Sequence, residues 1–206
     1  MKVFGYPNTR SARAVWALEE AGADYEYQHV NLLKGAARDP SYLQVNPGGK
    51  VPALTDGDLT LTESAAICWY VAESYPEATL LPTNLGERAQ IQQWCSFAVT
   101  ELEQPLWSIS KHTFALPEKR RVPALLDTAA WEFSRAAGVL ALGLGARPHI
   151  VGDRFSVADI LLANTLSWAR NRKVTIESVV LNAYADRMLS RPACVRAVER
   201  EQQAAA

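Results

Sequence analysis

The segment Asn46–Leu54, which reads NPGGKVPAL, decides how the first half of the chain is interpreted. Its last four residues, Val51–Leu54, have the composition of a β-strand. Pro52 has no N–H group, however, and cannot donate a hydrogen bond to a neighbouring strand on that side. One interpretation is an edge strand with an ordinary trans proline. The other is a cis Val51–Pro52 bond, which would turn the Val51 N–H and C=O outward to pair with an extended, peptide-like ligand.

On both sides of this segment, strand and helix signals alternate as they do in α/β proteins. We predict strands at Lys2–Tyr6, Tyr25–Val30, Val51–Leu54 and Leu59–Leu61. We predict helices at Ala12–Ala21 and Glu63–Tyr75, and a loop-rich segment at 31–50 with room for a short helix at Ala36–Val45. The order β-α-β followed by β-β-α predicts an α/β unit of about 80 residues with a mixed sheet.

The strand signals fade after the proline-containing segment Pro76–Leu85, and helical spacing dominates. Pro105 should kink or end the first long helix of this half. Further helices are predicted at Glu118–Leu142, Val157–Arg170, Ile176–Leu189 and Ala193–Gln203. We therefore expect an α/β domain at 1–78, a linker at 79–85 and an all-α domain at 86–206.

The composition excludes several classes of protein. The 206 residues are 49% hydrophobic and 21% charged, which is the balance of a folded globular chain. A net charge of -1 gives no basic field for nucleic acid, and no apolar run reaches the length of a membrane helix. The three cysteines form no CxxC motif, so we expect neither disulfides nor a metal site, and the lack of a signal sequence favours a cytoplasmic location.

The sequence Thr62-Glu63-Ser64 lies where a predicted strand meets a predicted helix. Ser64 is suited to capping that helix, which is the simplest role for it. The free N–H groups of the helix end also favour a carboxylate, to which Ser64 would donate while Glu63 accepts from an ammonium group. Together the two residues suit the zwitterionic head of an amino acid.

A similar strand-to-helix turn, Tyr6-Pro7-Asn8-Thr9-Arg10-Ser11, opens the chain. Thr9 or Ser11 would serve as a helix cap in the simplest interpretation. In the functional interpretation, a hydroxyl and the helix N–H groups lie beside a bound thiol and lower its pKa from about 8.5.

The motifs KVFGYPNTRSARAV, HVNLLKG, NPGGKVPAL and TESAAI occur here in the order and spacing of the cytosolic glutathione transferases, and the chain resembles that family. The resemblance extends over nearly the whole chain and implies a thioredoxin-like N-terminal domain joined to an all-α helical domain. In the second half, Val151–Ile160 resembles the capping motif of the family, in which Ser156 and Asp159 would form a structural pair at S-x-x-D spacing.

The resemblance implies a binding role for several residues. Lys50 matches the position that binds the glycyl carboxylate of glutathione, Val51 the residue whose backbone pairs with the cysteinyl unit, and Pro52 the cis proline. Glu63 and Ser64 match the pair that holds the γ-glutamyl head. Related plant-type chains have a His-Lys pair where this chain has Ala37-Arg38, so Arg38 alone is left to reach the glycyl carboxylate.

The catalytic residue implied by the resemblance is a hydroxyl near the N-terminus. The turn aligns best with the phi and theta-like forms and places Thr9 where a serine usually stands, with Arg13 four residues on. Ser11 is the second candidate and Tyr6 the third. Arg10 occupies the position of the catalytic cysteine of other bacterial classes, so their mechanism finds no support.

The function implied is that of a glutathione transferase, in which the activated thiolate attacks an apolar electrophile or a peroxide. We expect glutathione as co-substrate, no cofactor, no metal, no nucleic acid or membrane partner, and a homodimer. The walls of the electrophile pocket are expected to be Tyr6, Pro7, Trp107, Lys111, Phe114 and Trp168. Two alternatives are a glutathione-dependent disulfide-bond reductase and a non-catalytic binding or scaffold protein, such as the version of the fold in translation elongation factor 1 gamma.

Overall fold

A computed structural model describes residues 1–205, which fall into two compact units. The first comprises Met1–Leu81 together with the segment that begins at Ser190, and the second comprises Pro82–Leu189. The predicted domain limits stay a prediction, and this division departs from them by counting the last helix of the chain with the first unit.

The first unit contains a four-stranded mixed sheet, as the sequence predicted. Its strands are β1 (Lys2–Gly5), β2 (Glu26–His29), β3 (Ala53–Asp56) and β4 (Leu59–Thr62), in the order β2-β1-β3-β4. β1 is parallel to β2 and antiparallel to β3, and β3 is antiparallel to β4.

The register brings four chain segments to one edge of this sheet. Gly5 at the end of β1 lies opposite His29 at the end of β2. Ala53 at the start of β3 lies opposite Phe4 of β1 and Thr62 at the end of β4. The segments that follow β1, β2 and β4, and the one that precedes β3, therefore meet at the same edge.

The helices account for most of the remaining structure. They are α1 (Ser11–Glu20), α2 (Pro40–Val45), α3 (Ser64–Ser74), α4 (Leu85–Phe97), α5 (Glu103–Ser110), α6 (Leu125–Leu144), α7 (Val157–Asn171), α8 (Val179–Leu189) and α9 (Pro192–Gln203). In the first unit, α1 and α3 bury Val15, Leu18 and Ile67 completely against the sheet residues Val3 and Leu54.

α9 packs along α1 within the first unit. Its buried residues Ala193, Cys194, Ala197 and Glu201 recur at helical spacing and form one stripe. Ion pairs flank the stripe: Arg191 binds Glu20 at 2.6 Å and Arg196 binds Glu19 at 2.8 Å between nitrogen and oxygen. The packing of α9 therefore brings residues near position 200 close to the beginning of the chain.

One predicted helix start in the second unit is wrong, and the interruption expected at Pro105 takes the form of a wider turn just before it. The chain passes from α4 to α5 through a π-helical turn at Ala98–Leu102, so the interruption precedes Pro105, which is the third residue of α5. The wider turn accommodates the proline ring without a clash against the preceding carbonyls. The helix predicted from Glu118 begins only at Leu125, after a 3-10 turn at Glu118–Arg120, because Pro123 disfavours helical backbone just before it.

The predicted capping pair of α7 is confirmed. The Ser156 backbone N–H and hydroxyl both donate to Asp159 Oδ2 at 2.9 Å. The other carboxylate oxygen of Asp159 accepts from the Ile150 N–H at 3.0 Å and the Tyr184 hydroxyl at 2.7 Å. This fully bonded buried carboxylate fixes the start of α7 in the second unit. Among residues 1–205, no helix is long and apolar enough to cross a lipid bilayer.

Candidate functional site

The turn between β1 and α1 carries the predicted catalytic residues. The Thr9 hydroxyl donates to the Tyr6 carbonyl at 2.7 Å and accepts from the Ser11 N–H at 3.2 Å. Asn8 adopts a left-handed backbone with a φ of 60°, and the N-cap residue Arg10 makes no capping bond with its side chain. Thr9 is half-buried, and its hydroxyl lies at the N-terminal end of α1, where it accepts from the first N–H group of the helix.

Ser11 lies beneath this turn and is completely buried. Its Oγ accepts from the Tyr6 N–H at 3.0 Å and lies 2.9 Å from the Thr9 Oγ1. A Cβ at Gly5 would come within 2.8 Å of the Ser11 side chain, so the absence of a side chain there lets the serine fit. The structure therefore places the second candidate hydroxyl behind the first rather than beside it.

A residue that the sequence reasoning missed completes this cluster. Glu201 of α9 is 2% exposed, and its Oε1 accepts from the Ser11 hydroxyl at 2.5 Å and from the Tyr27 hydroxyl at 3.3 Å. Burial raises the pKa of Glu201 from 4.5 to about 7, although both hydrogen bonds oppose the shift. The available signal was a glutamate within the otherwise apolar stripe of α9.

The backbone of the loop before β3 is fixed by hydrogen bonds, while the cations at this loop face solvent. The Lys50 carbonyl accepts from the Tyr42 hydroxyl at 2.6 Å and from the Asn46 side-chain amide at 2.7 Å, and the Lys50 side chain is exposed. A Cβ at Gly49 would come within 2.7 Å of an Arg38 guanidinium nitrogen, so Arg38 lies against this loop. The loop therefore gathers two cations in one corner.

The Val51–Pro52 peptide bond is cis, which confirms the second interpretation of the NPGGKVPAL segment. Pro52 is buried and Val51 is partly exposed.

The junction of β4 and α3 has an exposed acid followed by a buried serine. Glu63 has a φ of 67°, in the left-handed region that residues other than glycine rarely adopt, and its side chain makes no capping bond. Such backbone strain is found most often at functional sites. Ser64 is 5% exposed and its Oγ accepts from the Arg13 guanidinium at 3.3 Å. Arg13 is itself fully buried, so it supports Ser64 from inside the unit.

A cavity of about 340 Å³ opens beside the turn, within the first unit. Its walls include the predicted pocket residues Tyr6 and Pro7, joined by Asn8, His29, Asn31 and Gln202. Within residues 1–205, the buried His29 Nδ1 has no hydrogen-bond partner. This lining is more polar than the expected electrophile pocket.

The other four predicted pocket residues belong to the second unit. Trp107 lies on α5, Lys111 and Phe114 on the π-helical turn that follows, and Trp168 on α7. Phe114 borders a cavity of about 200 Å³, and the Arg172 guanidinium lies over its ring at 4.4 Å. The grouping of these four residues with Tyr6 and Pro7 stays a prediction.

Comparison with known proteins identifies the family. Residues 1–73 match the family described as "Glutathione S-transferase, N-terminal domain", and residues 104–192 match "Glutathione S-transferase, C-terminal domain".

Two curated relatives and one solved structure agree with these matches. "Glutathione S-transferase Z1" of Arabidopsis thaliana is 36% identical over 84% of this chain and 78% of its own length. "Glutathione S-transferase GstA" of Escherichia coli O157:H7 is 33% identical over 93% of this chain and 94% of its own. A sphingomonad glutathione S-transferase structure, described as complexed with glutathione, is 33% identical with a TM-score of 0.85 and covers 98% of this chain and 99% of that one.

The chain therefore belongs to the glutathione S-transferase family. The predicted fold class, a thioredoxin-like α/β domain with an all-α helical domain, is confirmed by these matches. The predicted enzyme class is confirmed as well.

Proposed function

We propose that the protein binds glutathione at the sheet edge described above and transfers its thiolate to a second substrate. The observation that carries this proposal is the register of the sheet, which brings the turn after β1, the loop before β3 and the junction after β4 to one edge. Each of these segments carries a chemistry suited to one part of an extended peptide that has charged groups at both ends and a thiol at its centre.

The two ends of the peptide would be held by opposite charges. The exposed cations Lys50 and Arg38 suit the glycyl carboxylate, and the exposed Glu63 suits the γ-glutamyl ammonium. Ser64 suits the γ-glutamyl carboxylate, because Arg13 donates to its oxygen and leaves its proton free to be donated outward. The Val51 backbone would pair with the cysteinyl unit between these ends.

The thiol would be activated at the N-terminus of α1. Thr9 is the side chain that donates to the sulfur, and it does so by turning its O–H bond away from the Tyr6 carbonyl. Lowering the thiol pKa by about 2 units requires about 2.7 kcal/mol of preference for the thiolate. One charge-assisted hydrogen bond and the partial positive charge of the helix end supply an energy of that size.

The reaction proposed first is attack of this thiolate on an electrophilic carbon or a peroxide oxygen of an apolar compound. Trp107, Lys111, Phe114 and Trp168, with Tyr6 and Pro7, are the residues proposed to receive that compound. The rate would be raised by the larger thiolate fraction and by holding two reactants together.

A second candidate reaction is reduction of a glutathionyl disulfide. The polar cavity beside the turn favours it, since Asn8, Asn31, Gln202 and His29 offer hydrogen bonds that an apolar electrophile cannot use. In this reaction the glutathione thiolate attacks the disulfide, releases the other thiolate and leaves glutathione disulfide.

Steady-state rates with an activated aryl halide and with a small glutathionylated disulfide distinguish the two candidates. Asn31→Leu should weaken turnover of the disulfide and spare the aryl halide if the polar cavity receives the disulfide. Calorimetric binding of glutathione, on the wild type and on Lys50→Ala, accompanies these assays. Normal folding without any glutathione binding would overturn the proposed function and favour the scaffold alternative.

We further expect a cytoplasmic homodimer. The cysteines Cys68, Cys95 and Cys194 are free and buried, which suits a reducing compartment. Sedimentation velocity at micromolar concentration checks the dimer, and fractionation of cells of the source organism checks the location.

A further inference from the structure

Glu201 is a buried carboxyl group that the proposed mechanism does not use. It comes from the opposite end of the chain, yet its Oε1 lies 2.5 Å from the Ser11 Oγ, which in turn lies 2.9 Å from the Thr9 Oγ1. Three side-chain oxygens therefore form a continuous chain of hydrogen-bond contacts from α9 to the turn that we propose holds the thiol.

The number of protons shared by Glu201, Ser11 and Thr9 decides which way each hydroxyl points. When Glu201 is ionised, Ser11 must donate its single proton to the carboxylate, because two acceptors cannot lie 2.5 Å apart without one. The Tyr6 carbonyl lies 3.0 Å from the Ser11 Oγ and 2.7 Å from the Thr9 Oγ1, so only the Thr9 hydroxyl is left to satisfy it. The Thr9 proton is then held inward.

One additional proton on Glu201 reverses this arrangement. Glu201 then donates to the Ser11 Oγ, and the Ser11 proton becomes free to donate to the Tyr6 carbonyl. The Thr9 hydroxyl can leave that carbonyl without stranding it and can donate to a thiolate. Protonated Glu201 and a stabilised thiolate therefore favour one another.

We propose that Glu201 receives the thiol proton of bound glutathione through Ser11 and Thr9. The inference rests on the proposed function. The Thr9 hydroxyl turns from the Tyr6 carbonyl to the Ser11 Oγ, which lies 2.9 Å away. The S–H bond then breaks and its proton passes to the Thr9 Oγ1, while the Thr9 proton passes to the Ser11 Oγ and the Ser11 proton to the Glu201 Oε1. Negative charge moves from the carboxylate to the sulfur, and no proton leaves the protein. Glu201 touches no substrate and acts as a positioning residue that holds the proton.

The surroundings of Glu201 suit a group that gains and loses a proton near neutral pH. Burial brings its pKa to about 7, so both the ionised and the protonated form of the carboxyl group are populated near neutral pH. Tyr27 donates to Glu201, and the other charged and titratable groups that α1, α9 and the segment leading into β2 bring to their shared packing are Glu19, Glu20, Tyr25, Arg191, Arg196 and Arg200. The three arginines are engaged with other groups, since Arg191 and Arg196 pair with Glu20 and Glu19 and Arg200 lies over the Tyr25 ring.

Calorimetry in buffers of different ionisation enthalpy counts the protons released when glutathione binds. The full-length wild type and Glu201→Gln are compared near pH 7.5, and an ultraviolet difference spectrum measures the thiolate formed in the same samples. The glutamine amide of this variant can donate to Ser11 as a protonated acid does, but it accepts no proton. We expect Glu201→Gln to release about one proton for each thiolate formed, and the wild type to release less than half of that.

Glu20→Gln is the matched control, because Glu20 also joins α1 to α9 but belongs to the ion pair with Arg191. It should release as few protons as the wild type. Ser11→Ala interrupts the hydrogen-bonded path between Glu201 and Thr9 and should release more protons than the wild type. A merely structural role for Glu201 would alter stability or glutathione affinity, whereas it would leave the number of protons per thiolate unchanged.

Equal proton release by the wild type and Glu201→Gln, with thiolate formed in both, would overturn the relay and leave the proposed function standing. Absence of glutathione binding by the wild type would overturn the proposed function, and this inference with it.

Discussion

The N-termini of α1 and α3 lie at the same edge of the sheet and are built in opposite ways. Each begins with a buried serine, and in neither does the N-cap residue form a side-chain cap. Ser11 of α1 donates to a carboxyl group, Glu201, whereas Ser64 of α3 accepts from a guanidinium, Arg13.

This difference decides what each helix end can offer a ligand. The cation behind Ser64 leaves the serine proton available, so α3 suits a carboxylate that stays ionised. The acid behind Ser11 withdraws the serine proton, so α1 suits a group that must give a proton away. One architecture thus provides a binding end and a reactive end for the same peptide.

The largest effect expected from this comparison is the pH dependence that Glu201 imposes on stability. The pKa of Glu201 is 4.5 when the chain is unfolded and about 7 when it is folded, so the folded state holds a proton that the unfolded state has lost between these values. Its stabilisation is complete below pH 4.5 and is lost as pH rises through about 7.

Between about pH 5 and pH 8 the wild type should lose about 2.5 kcal/mol of unfolding free energy that Glu201→Gln does not lose. Urea unfolding of both proteins at the two pH values measures this, and parallel losses would contradict the account.

Removal of Arg13, the cation that donates to Ser64, should lower the unfolding free energy by a smaller amount. Arg13→Met keeps most of the buried volume but leaves the groups that Arg13 binds without a donor, and we expect the unfolding free energy to fall by about 2 kcal/mol. Lys2→Met is a suitable control, since the Lys2–Glu26 pair joins a half-buried lysine to an exposed glutamate and should contribute under about 1 kcal/mol. Similar losses in the two variants, measured by urea unfolding, would show that Arg13 does not have the supporting role assigned to it.

The smallest of these effects concerns the ligand alone. Ser64→Ala removes a hydrogen bond to a charged carboxylate and should weaken glutathione binding about tenfold, or about 1.4 kcal/mol. Calorimetry at pH 6 measures this with the thiol protonated, so that binding at α3 is separated from thiolate formation at α1. An unchanged dissociation constant would mean that the γ-glutamyl head binds elsewhere.

The binding end was more accessible to sequence reasoning than the reactive end. The strands, α1, α3 and the segment NPGGKVPAL are set by local patterns of apolar, turn and proline residues, and these predictions agree with the structure to within a few residues. Lys50, Glu63 and Ser64 lie in such patterns, and their side chains were assigned roles without knowledge of distant contacts.

The partner of Ser11 was not predictable in this way. Glu201 lies 190 positions further along the chain, and only the packing of α9 against α1 brings the two together. The same is true of the Arg13–Ser64 bond, which joins two helices. Local periodicity shows which face of a helix is buried, but it does not show what that face meets.

The central claim is that the Thr9 hydroxyl stabilises the glutathione thiolate at the N-terminus of α1. Ultraviolet difference spectra of bound glutathione, recorded against pH, measure the thiol pKa in the wild type, Thr9→Ser and Thr9→Val. Valine keeps the shape of threonine without the hydroxyl, and serine keeps the hydroxyl. We expect the wild type and Thr9→Ser to hold the pKa about 2 units below the usual 8.5, and Thr9→Val to lose at least about one of those units. A thiol pKa that stays equally low in Thr9→Val would contradict the account.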